Sequence, residues 1–498
     1  MTPVLRGAYL TGDEPMDQIL YWNEVATEAD RTTHTTGEPS EAGVRGPAGS
    51  SRALAIVHLA MHDAYFGINT GLYEPYLGTD LPTPQADADA DAAIAGAAHS
   101  TLSALYPAQK AFFNARHAAA GLVAGKPDVD GHTFGRKVAA KILARRRNDP
   151  DLRDDGYSAS VAPGHHRQDP DNPDRLTDGS VFYAPFYGAA SSCFAVTTRH
   201  HLSDPPRPPS AEYDHAVRQV RTKGIIPQLT GTLPADLVTK FPPRTPTETS
   251  VGVFWSYDGT KNLGTPPRLY NQIVRVVAAG QGNDVTKNAR LFALVNAALG
   301  DAGILAWTDK YVYDVWRPVL GIREHDSSSG PTGVGGDVLD SDADPGWLPF
   351  GAQNSNTVGK DFTPPFPAYP SGHATFGAAV FQSVRQFYCQ GDFGPDTLAN
   401  GLEFVSDELN GITTDNTGTV RQRRVRSFPR GLWEMIEENG LSRTFLGVHW
   451  LFDAFAVTEA GEMDLSRNVG GVRLGLDIAN DIAAHGLHAA NAAGPAPA

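Results

Sequence analysis

The sequence predicts an all-α protein with long loops, and three observations carry that expectation. Apolar residues recur mainly at the three- and four-residue spacing of a helix face, strand-like alternation is rare, and the stretches between are crowded with Gly (51) and Pro (37). An α/β arrangement is the fallback. At 498 residues, with 41% hydrophobic and 19% charged side chains, the chain can bury a large core and is not a disordered polymer. About 150 residues per unit would give roughly three domain-sized units, or fewer large ones.

The elements follow in order. Gly46 and Pro47, with Ser50 and Ser51 as candidate caps, precede a run in which Leu54, Val57, Met61, Tyr65 and Ile68 share one helix face. An alanine-rich helix from Ala86 to Leu105 stops before Pro107, and a looser helical pattern runs from Phe134 to Leu143. Further helices are expected over Leu269 to Ala278, Arg290 to Trp316, Ala374 to Phe387 and Val472 to Ile482. Two stretches read as loops, from about Asp149 to Pro209 and from about Asp326 to Pro370, the second containing SSSGPTGVGG. Loops of this length inside a compact protein are usually functional. The tail from Ala489 is expected to be disordered.

Charge and composition exclude several functions. A net charge of −15 argues against nucleic acid as a partner, so any anion site must be local. The N-terminus shows no charged segment leading into an apolar one, hence no secretory signal, although secretion by another route stays open. Membrane insertion is not expected: Leu54 to Ile68 is interrupted by His58, His62 and Asp63, and Leu291 to Trp307 by Asn296 and Asp301, so both read as buried helices of a soluble protein. Cys193 and Cys389 are too few for a disulfide framework or a thiolate metal site, and whether they pair is open. With only five Met, oxidisable sulfur is scarce, which is compatible with exposure to strong oxidant.

Three segments carry residues able to do chemistry. In W-T-D-K-Y-V-Y-D-V-W-R-P, Lys310 and Arg317 are seven residues apart and nearly in line on a continuous helix that also presents Trp307 and that Pro318 would end. Alone, such a pair is an ordinary solvated surface. In P-A-Y-P-S-G-H-A-T-F-G, Ser371 is a candidate N-cap, Gly372 lets backbone approach a ligand, and the free N–H groups of the first turn would favour an anion beside His373. Alone, that histidine reads as a surface or capping residue. In S-R-T-F-L-G-V-H-W-L-F-D, Arg443 and His449 would point apart on one straight helix, so convergence requires a break, which Gly447 can supply. Asp453, four residues after His449, can hold its imidazole or merely pair with it along a helix. Together, two or three cations, backbone donors and two histidines suit a tetrahedral oxyanion.

In that order, K-x6-R-P, P-S-G-H and S-R-x5-H-x3-D resemble the vanadium-dependent haloperoxidases, whose anion site is shared with acid phosphatases and lipid phosphate phosphatases. The segments I-L-Y-W-N-E-V from Ile19, H-L-A-M-H-D-A-Y-F from His58, Y-A-P-F-Y-G from Tyr183, W-S-Y-D-G and G-T-P-P-R-L-Y-N-Q-I-V-R also look like the fungal-type chloroperoxidases. The likeness extends from about Ile19 to Gly486, with departures in the length of both long loops and the tail. It implies two helical bundles, 19–250 and 251–486, the second carrying the site, and a disordered tail at 487–498. It also implies a vanadate cofactor, vanadium(V), with Lys310, Arg317, Ser371, Gly372 and Arg443 on its oxygens and His449 on the metal. His373 would be the acid–base residue, Lys310 would polarise peroxide, and Asp258, within W-S-Y-D-G, would pair with Arg443. Hydrogen peroxide, a halide and a small organic acceptor are the implied partners. Trp307 and Phe366 match the chloroperoxidase pattern, where the similar algal bromoperoxidases carry an arginine and a histidine, so chloride as well as bromide and iodide is the expected substrate.

The rival reading is a phosphatase in which His449 attacks phosphorus, Asp453 orients it and His373 protonates the leaving oxygen. A non-catalytic oxyanion-binding protein is the third, though binding alone has no need of His373. Other features read as architecture. His58, His62 and Asp63 have metal-ligand spacing yet lie in a dense apolar pattern, which fits buried packing and hydrogen bonding. His165, His166, His200 and His201 receive no role. Arg145 to Arg147 and R-Q-R-R-V-R from Arg421 read as solvated faces, or as a field guiding anions.

Overall fold

The computed structural model describes residues 16–122, 125–153, 156–173, 181–325, 342–389, 391, 393–398, 401–459 and 461–489. The expectations for the first 15 residues, for SSSGPTGVGG and for nearly all of the tail lie outside them. The fold is helical, as expected. In the first part of the chain run α1 (Gln18–Thr33), α2 (Gly46–Ile68), α3 (Ala90–Leu105), α4 (Lys110–Ala118) and α5 (Lys126–Arg145). Then come α6 (Tyr187–Ala190), α7 (Ala211–Lys223), α8 (Ala235–Lys240), α9 (Pro246–Phe254), α10 (Pro266–Gly280) and α11 (Val285–Tyr313). The rest holds α12 (Pro318–Arg323), α13 (Gly372–Phe387), α14 (Gly431–Phe445), α15 (Leu451–Ala454) and α16 (Gly471–His485). The described residues also hold short 3-10 turns and two small antiparallel ribbons, β1 (Leu402–Phe404) with β2 (Arg426–Phe428), and β3 (Ala456–Val457) with β4 (Met463–Asp464).

The spine is α11. Asp284 caps it by accepting from the Lys287 N–H, and its 29 residues, about 44 Å at 1.5 Å each, pack on α2 from the first part of the chain and on α13 and α16 from the last. It is long and apolar enough to cross a membrane, but 94% of its most apolar window is buried inside this protein. Its polar interruptions anchor the long 149–209 loop. Asp301 accepts from the N–H groups of Phe194, Ala195 and Val196, and Asp309 from Leu202 N–H and the His201 ring at 3.0 Å each. His200 is fastened likewise to Asp481 at 3.0 Å.

A buried polar ladder ties four helices together. The Asn23 side chain of α1 donates to Nε2 of His58 on α2 at 2.9 Å and to Asn271 of α10 at 2.8 Å; Asn271 exchanges 3.0 Å bonds with Asn296 of α11. His58 Nδ1 donates to the Leu54 carbonyl at 2.7 Å. His62 and Asp63 bond one another at 2.9 Å, and Asp63 also holds the N–H groups of Tyr76 and Leu77, so all three are buried and hydrogen-bonded. At the other end, α16 lies directly on the first turns of α13. A Cβ at Gly471 would stand 2.5 Å from Ser371 O, and one at Gly475 2.4 Å from Thr375 O, so only glycine permits this approach.

Two expectations need correction. Lys310 and Arg317 do not share a helix: α11 ends at Tyr313 with Asp314 in the left-handed region (φ 49°), and Arg317 is the N-cap of α12, with Pro318 opening that helix rather than closing the earlier one. The arginine runs are not uniformly solvated. Arg146 is 5% exposed, pairs with Asp149 at 2.9 Å and lies 3.8 Å from the Phe194 ring centroid, while Arg421 pairs with buried Glu408 and Arg426 with Glu438. Arg145, Arg147, Arg423 and Arg424 are exposed. Cys193 and Cys389 are both free thiols.

The ladder makes stability depend on pH. Burial lowers His58 to about 4, and its Nε2 is occupied as an acceptor. The folded chain therefore takes up this proton later than the unfolded one, so the contribution is present above about pH 6.5 and lost as pH falls toward 4. Between pH 7 and 5 this group alone should remove about 2 kcal/mol of unfolding free energy. Denaturant titrations across that range should show a shallower pH slope for His58→Gln than for the parent; parallel slopes would contradict the assignment.

Candidate active site

The three motif segments meet at one buried place. The break expected at Gly447 is present: α14 ends at Phe445, Gly447 has φ +72°, and a Cβ there would stand 2.5 Å from Gly224 O. The chain turns, and His449 returns to the face that Arg443 presents from the last turn of α14. His449 Nδ1 lies 2.8 Å from Asp453 Oδ2, and Nε2 lies 2.9 Å from Arg317 Nη1. Asp453 Oδ2 also accepts from the Trp450 N–H and is therefore an acceptor, and a guanidinium donates, so the ring is neutral, protonated at Nδ1 and without a proton at Nε2. Burial, reinforced by Arg317, Lys310 and Arg443, holds its pKa well below the usual histidine range. Burial raises Asp453 to about 7, with Lys310 and Arg317 pulling the other way.

Ser371 caps α13, its hydroxyl accepting from Ala374 N–H, and its own N–H donates to Asp453 O at 2.8 Å, which locks the start of α13 to the His449 segment. His373, in the first turn, places Nε2 3.1 Å from the Trp255 carbonyl. A carbonyl only accepts, so Nε2 carries the proton and Nδ1 keeps its lone pair. Burial, then Arg443, lowers this histidine to about 3. The Trp255 carbonyl was not singled out from sequence, although it lies three residues before Asp258. Also unforeseen is Asn439, one turn before Arg443, which donates to His373 O at 2.7 Å.

The cations are wholly buried, Lys310 and Arg317 at 0% exposure and Arg443 at 1%. Arg443 forms a two-pronged pair with Asp258 at 2.8 and 3.2 Å, and Ser256 donates to the same carboxylate at 2.8 Å. Arg317 donates to Phe366 O and Val448 O at 2.8 and 2.7 Å. Lys310 gives all three of its ammonium protons to the carbonyls of Pro367, Ala368 and Pro370, so it shapes the P-A-Y-P turn. Burial and Arg317 push it well below the ordinary lysine range, and burial brings Arg317 down to about 9. Three donors have no protein partner: Arg317 Nη2, Arg443 Nε and the indole N–H of Trp307. Gly372, His373, Arg443 and His449 line a cavity of about 580 Å³, together with Trp307, Phe366 and Phe376. Phe366 lies against two cations, Lys310 Nζ at 5.1 Å and the Arg317 guanidinium at 4.9 Å from its centroid.

Three buried cations stand with two carboxylates and donor protons left over, and Arg443 and His449 of this cluster line the cavity. That arrangement defines an oxyanion-handling enzyme site on an all-α scaffold. A family model described as the vanadium chloroperoxidase N-terminal domain matches residues 13–191, and one for the second helical-bundle domain of the same family matches 290–470. The vanadium chloroperoxidase of Curvularia inaequalis is 37% identical over 90% of this chain and 81% of its own length. The chain belongs to the vanadium haloperoxidase family. Solved structures share the fold at lower identity. A bacterial vanadium-dependent iodoperoxidase aligns with TM-score 0.59 and 18% identity over 95% of this chain and 97% of its own. An apo bacterial vanadium-dependent chloroperoxidase gives 0.60 and 15% over 96% and 100%.

The tautomers are directly observable. Selective 15N-histidine labelling should show both rings neutral at pH 6, with His449 protonated at Nδ1 and His373 at Nε2. An imidazolium signal from either would contradict the hydrogen-bond geometry.

Proposed function

We propose that this protein binds vanadate and uses hydrogen peroxide to oxidise chloride, bromide and iodide to hypohalous acid. The observation that carries the reading is the set of unpartnered buried donors, Arg317 Nη2 and Arg443 Nε, among more positive than negative charge beside a bare histidine nitrogen. Leaving such donors unmet costs about 1–3 kcal/mol each or more, and a tetrahedral oxyanion supplies both acceptors and charge. Vanadate fits this donor set. His449 Nε2 would hold the vanadium, and Arg317, Arg443, Ser371, Gly372 and Lys310 its oxygens. When bound, it supplies a Lewis-acid centre that stays at oxidation state five and polarises peroxide.

The protein's own contributions follow from the geometry. Asp453 fixes the His449 tautomer that leaves Nε2 free to bind, and Arg317 must release that nitrogen when it does. Asp258 aims Arg443 and leaves its Nε for the ligand. Lys310 reaches an oxygen by exchanging one of its three carbonyls, a small change for an ammonium already in place. The bare Nδ1 of His373 can take a proton from peroxide and return it to the leaving oxygen. Trp307 and Phe366 keep water away, which strengthens every charge interaction at the site. We further assign 19–250 and 251–486 as the two structural halves, with the oxyanion cradle in the second.

Reconstitution with orthovanadate, followed by assays with peroxide and each halide, tests the reading; halide oxidation is expected, with an acidic optimum for chloride. His449→Ala should abolish stable vanadate binding, measured by equilibrium dialysis, and wild-type affinity in that variant would refute the ligand role. The same cradle suits a phosphohistidine at His449, so cleavage of an activated phosphate ester without any halide oxidation would assign the phosphatase reading instead.

Phe366 governs the choice of halide. Chloride is the hardest of the three to oxidise and needs the most strongly polarised peroxide, so a polar replacement that admits water should depress chloride turnover more than bromide turnover. Steady-state assays of Phe366→His at matched pH check this, and equal losses for both halides would contradict it.

A further inference from the structure

His373 is held at both ends from one helix. Its ring Nε2–H reaches the Trp255 carbonyl at 3.1 Å, and its own backbone carbonyl accepts from the Asn439 side chain at 2.7 Å and from the Tyr270 hydroxyl at 3.2 Å. Asn439 belongs to α14, and so does the residue that holds Trp255: the indole N–H donates to Glu438 Oε1 at 2.8 Å. Two consecutive residues of α14 therefore grip the backbone of His373 directly and its ring through Trp255. Arg443, whose Nε is one of the unpartnered donors, lies five residues beyond Glu438 on the same helix, about 7.5 Å at 1.5 Å per residue. A single rigid element sets the acid–base histidine against the oxyanion cradle.

Glu438 is more than half of a surface ion pair. Its side chain is 13% exposed, and Arg426, from the R-Q-R-R-V-R run, donates to both carboxylate oxygens while its guanidinium lies 5.2 Å from the ring centroids of Phe254 and Phe428. Trp255 is fully buried, with Phe254, Phe381 and Phe428 around its ring at 4.9, 6.2 and 6.3 Å. In that apolar packing the indole N–H needs its acceptor. Without Glu438 a buried donor is left unmet, and the ring must turn toward water or another acceptor. The carbonyl of the same residue moves with it. That carbonyl also accepts from Tyr257 N–H at 3.0 Å, at the head of the turn that carries Asp258 to Arg443.

We propose that Glu438 is a positioning residue for the acid–base step: through the indole and carbonyl of Trp255 it keeps His373 in one tautomer, with Nδ1 bare beside the oxyanion cradle. The inference rests on the haloperoxidase reading and adds a residue that acts on the reaction only through its neighbours. A proton can be taken up at Nδ1 only while that nitrogen has its lone pair, so a ring that shifts its proton from Nε2 to Nδ1 presents a donor where an acceptor is needed. The Trp255 carbonyl prevents the shift because it can only accept. Glu438 fixes that carbonyl, and Arg426 fixes Glu438.

The test compares Glu438→Leu, which removes the acceptor, with Glu438→Gln, whose amide oxygen can still accept the indole proton. In the vanadium-free protein at pH 6, 15N-histidine labelling should show His373 protonated at Nε2 alone in the parent and in Glu438→Gln, and a mixture of both tautomers in Glu438→Leu. In the vanadate-loaded protein, kcat for bromide oxidation should fall about tenfold in Glu438→Leu and return to within about twofold of the parent in Glu438→Gln. The dissociation constant of vanadate, from equilibrium dialysis, and KM for bromide should stay within about twofold of the parent in both, because every cradle donor is retained. Trp255→Phe removes the indole donor and leaves the Glu438 and Arg426 pair whole, and it should reproduce the Glu438→Leu result even if that variant does not fold. A single Nε2 tautomer with parental kcat in Glu438→Leu or in Trp255→Phe would overturn the proposal. So would equal losses in Glu438→Leu and Glu438→Gln, which would assign the effect to the ion pair with Arg426. A parent that oxidises no halide would overturn the haloperoxidase reading, and the tautomer comparison in the vanadium-free proteins would still decide the role of Glu438.

Discussion

Everything around the site answers to one constraint: Lys310, Arg317 and Arg443 hold positive charge in a cluster almost entirely removed from solvent. Removing such groups from water costs several kcal/mol each unless partners compensate. The protein compensates in part, with three carbonyls for Lys310, two carbonyls and an imidazole nitrogen for Arg317, and the Asp258 carboxylate for Arg443. Partial compensation is what a binding site requires. A fully satisfied cluster would have nothing left for an oxyanion, and an unsatisfied one would not stay folded.

The compensating groups come from distant parts of the chain, which is why the helical frame has to be rigid. Carbonyls of the 366–370 turn meet a lysine from α11 and the arginine that caps α12, that arginine meets a histidine beyond α14, and glycines of α16 bring its backbone against the first turns of α13. The frame is pinned by polar groups as well as by packing. The Asn23, His58, Asn271 and Asn296 ladder joins four helices, and Asp301 and Asp309 of α11 hold the long loop that supplies Tyr183 and Phe194. Several motifs that resembled the chloroperoxidases, I-L-Y-W-N-E-V, H-L-A-M-H-D-A-Y-F and G-T-P-P-R-L-Y-N-Q-I-V-R, contribute the members of this ladder rather than the catalytic cluster.

Much of this was legible in the sequence for identifiable reasons. Long apolar runs free of internal proline, such as 290–316 and 374–387, announced α11 and α13 because helical spacing persists in them over several turns. Ser371 as a cap, Gly447 as a break and Asp453 behind His449 followed from local stereochemistry alone. Continuity across 310–317 did not, because Asp314 takes a left-handed conformation stabilised by Tyr157 and His165 from a loop some 150 residues away, which helical spacing cannot reveal. Arg146 and Arg421 looked solvated for a similar reason: their partners Phe194 and Glu408 are brought to them by tertiary contacts. The Trp255 carbonyl that holds His373 leaves no side-chain signal at all.

The most direct test of the central claim, that the buried cations await an oxyanion, is thermal unfolding of the vanadium-free protein titrated with orthovanadate. A single oxyanion completing the cluster should raise the unfolding midpoint progressively, with a gain of about 2.7 kcal/mol at a hundredfold excess over the dissociation constant. The same titration should leave an Arg443→Met, Asp258→Leu double variant, in which charge and countercharge are removed together, with little or no gain. A midpoint that does not move with orthovanadate in the parent protein, or that rises equally in the double variant, would contradict the account.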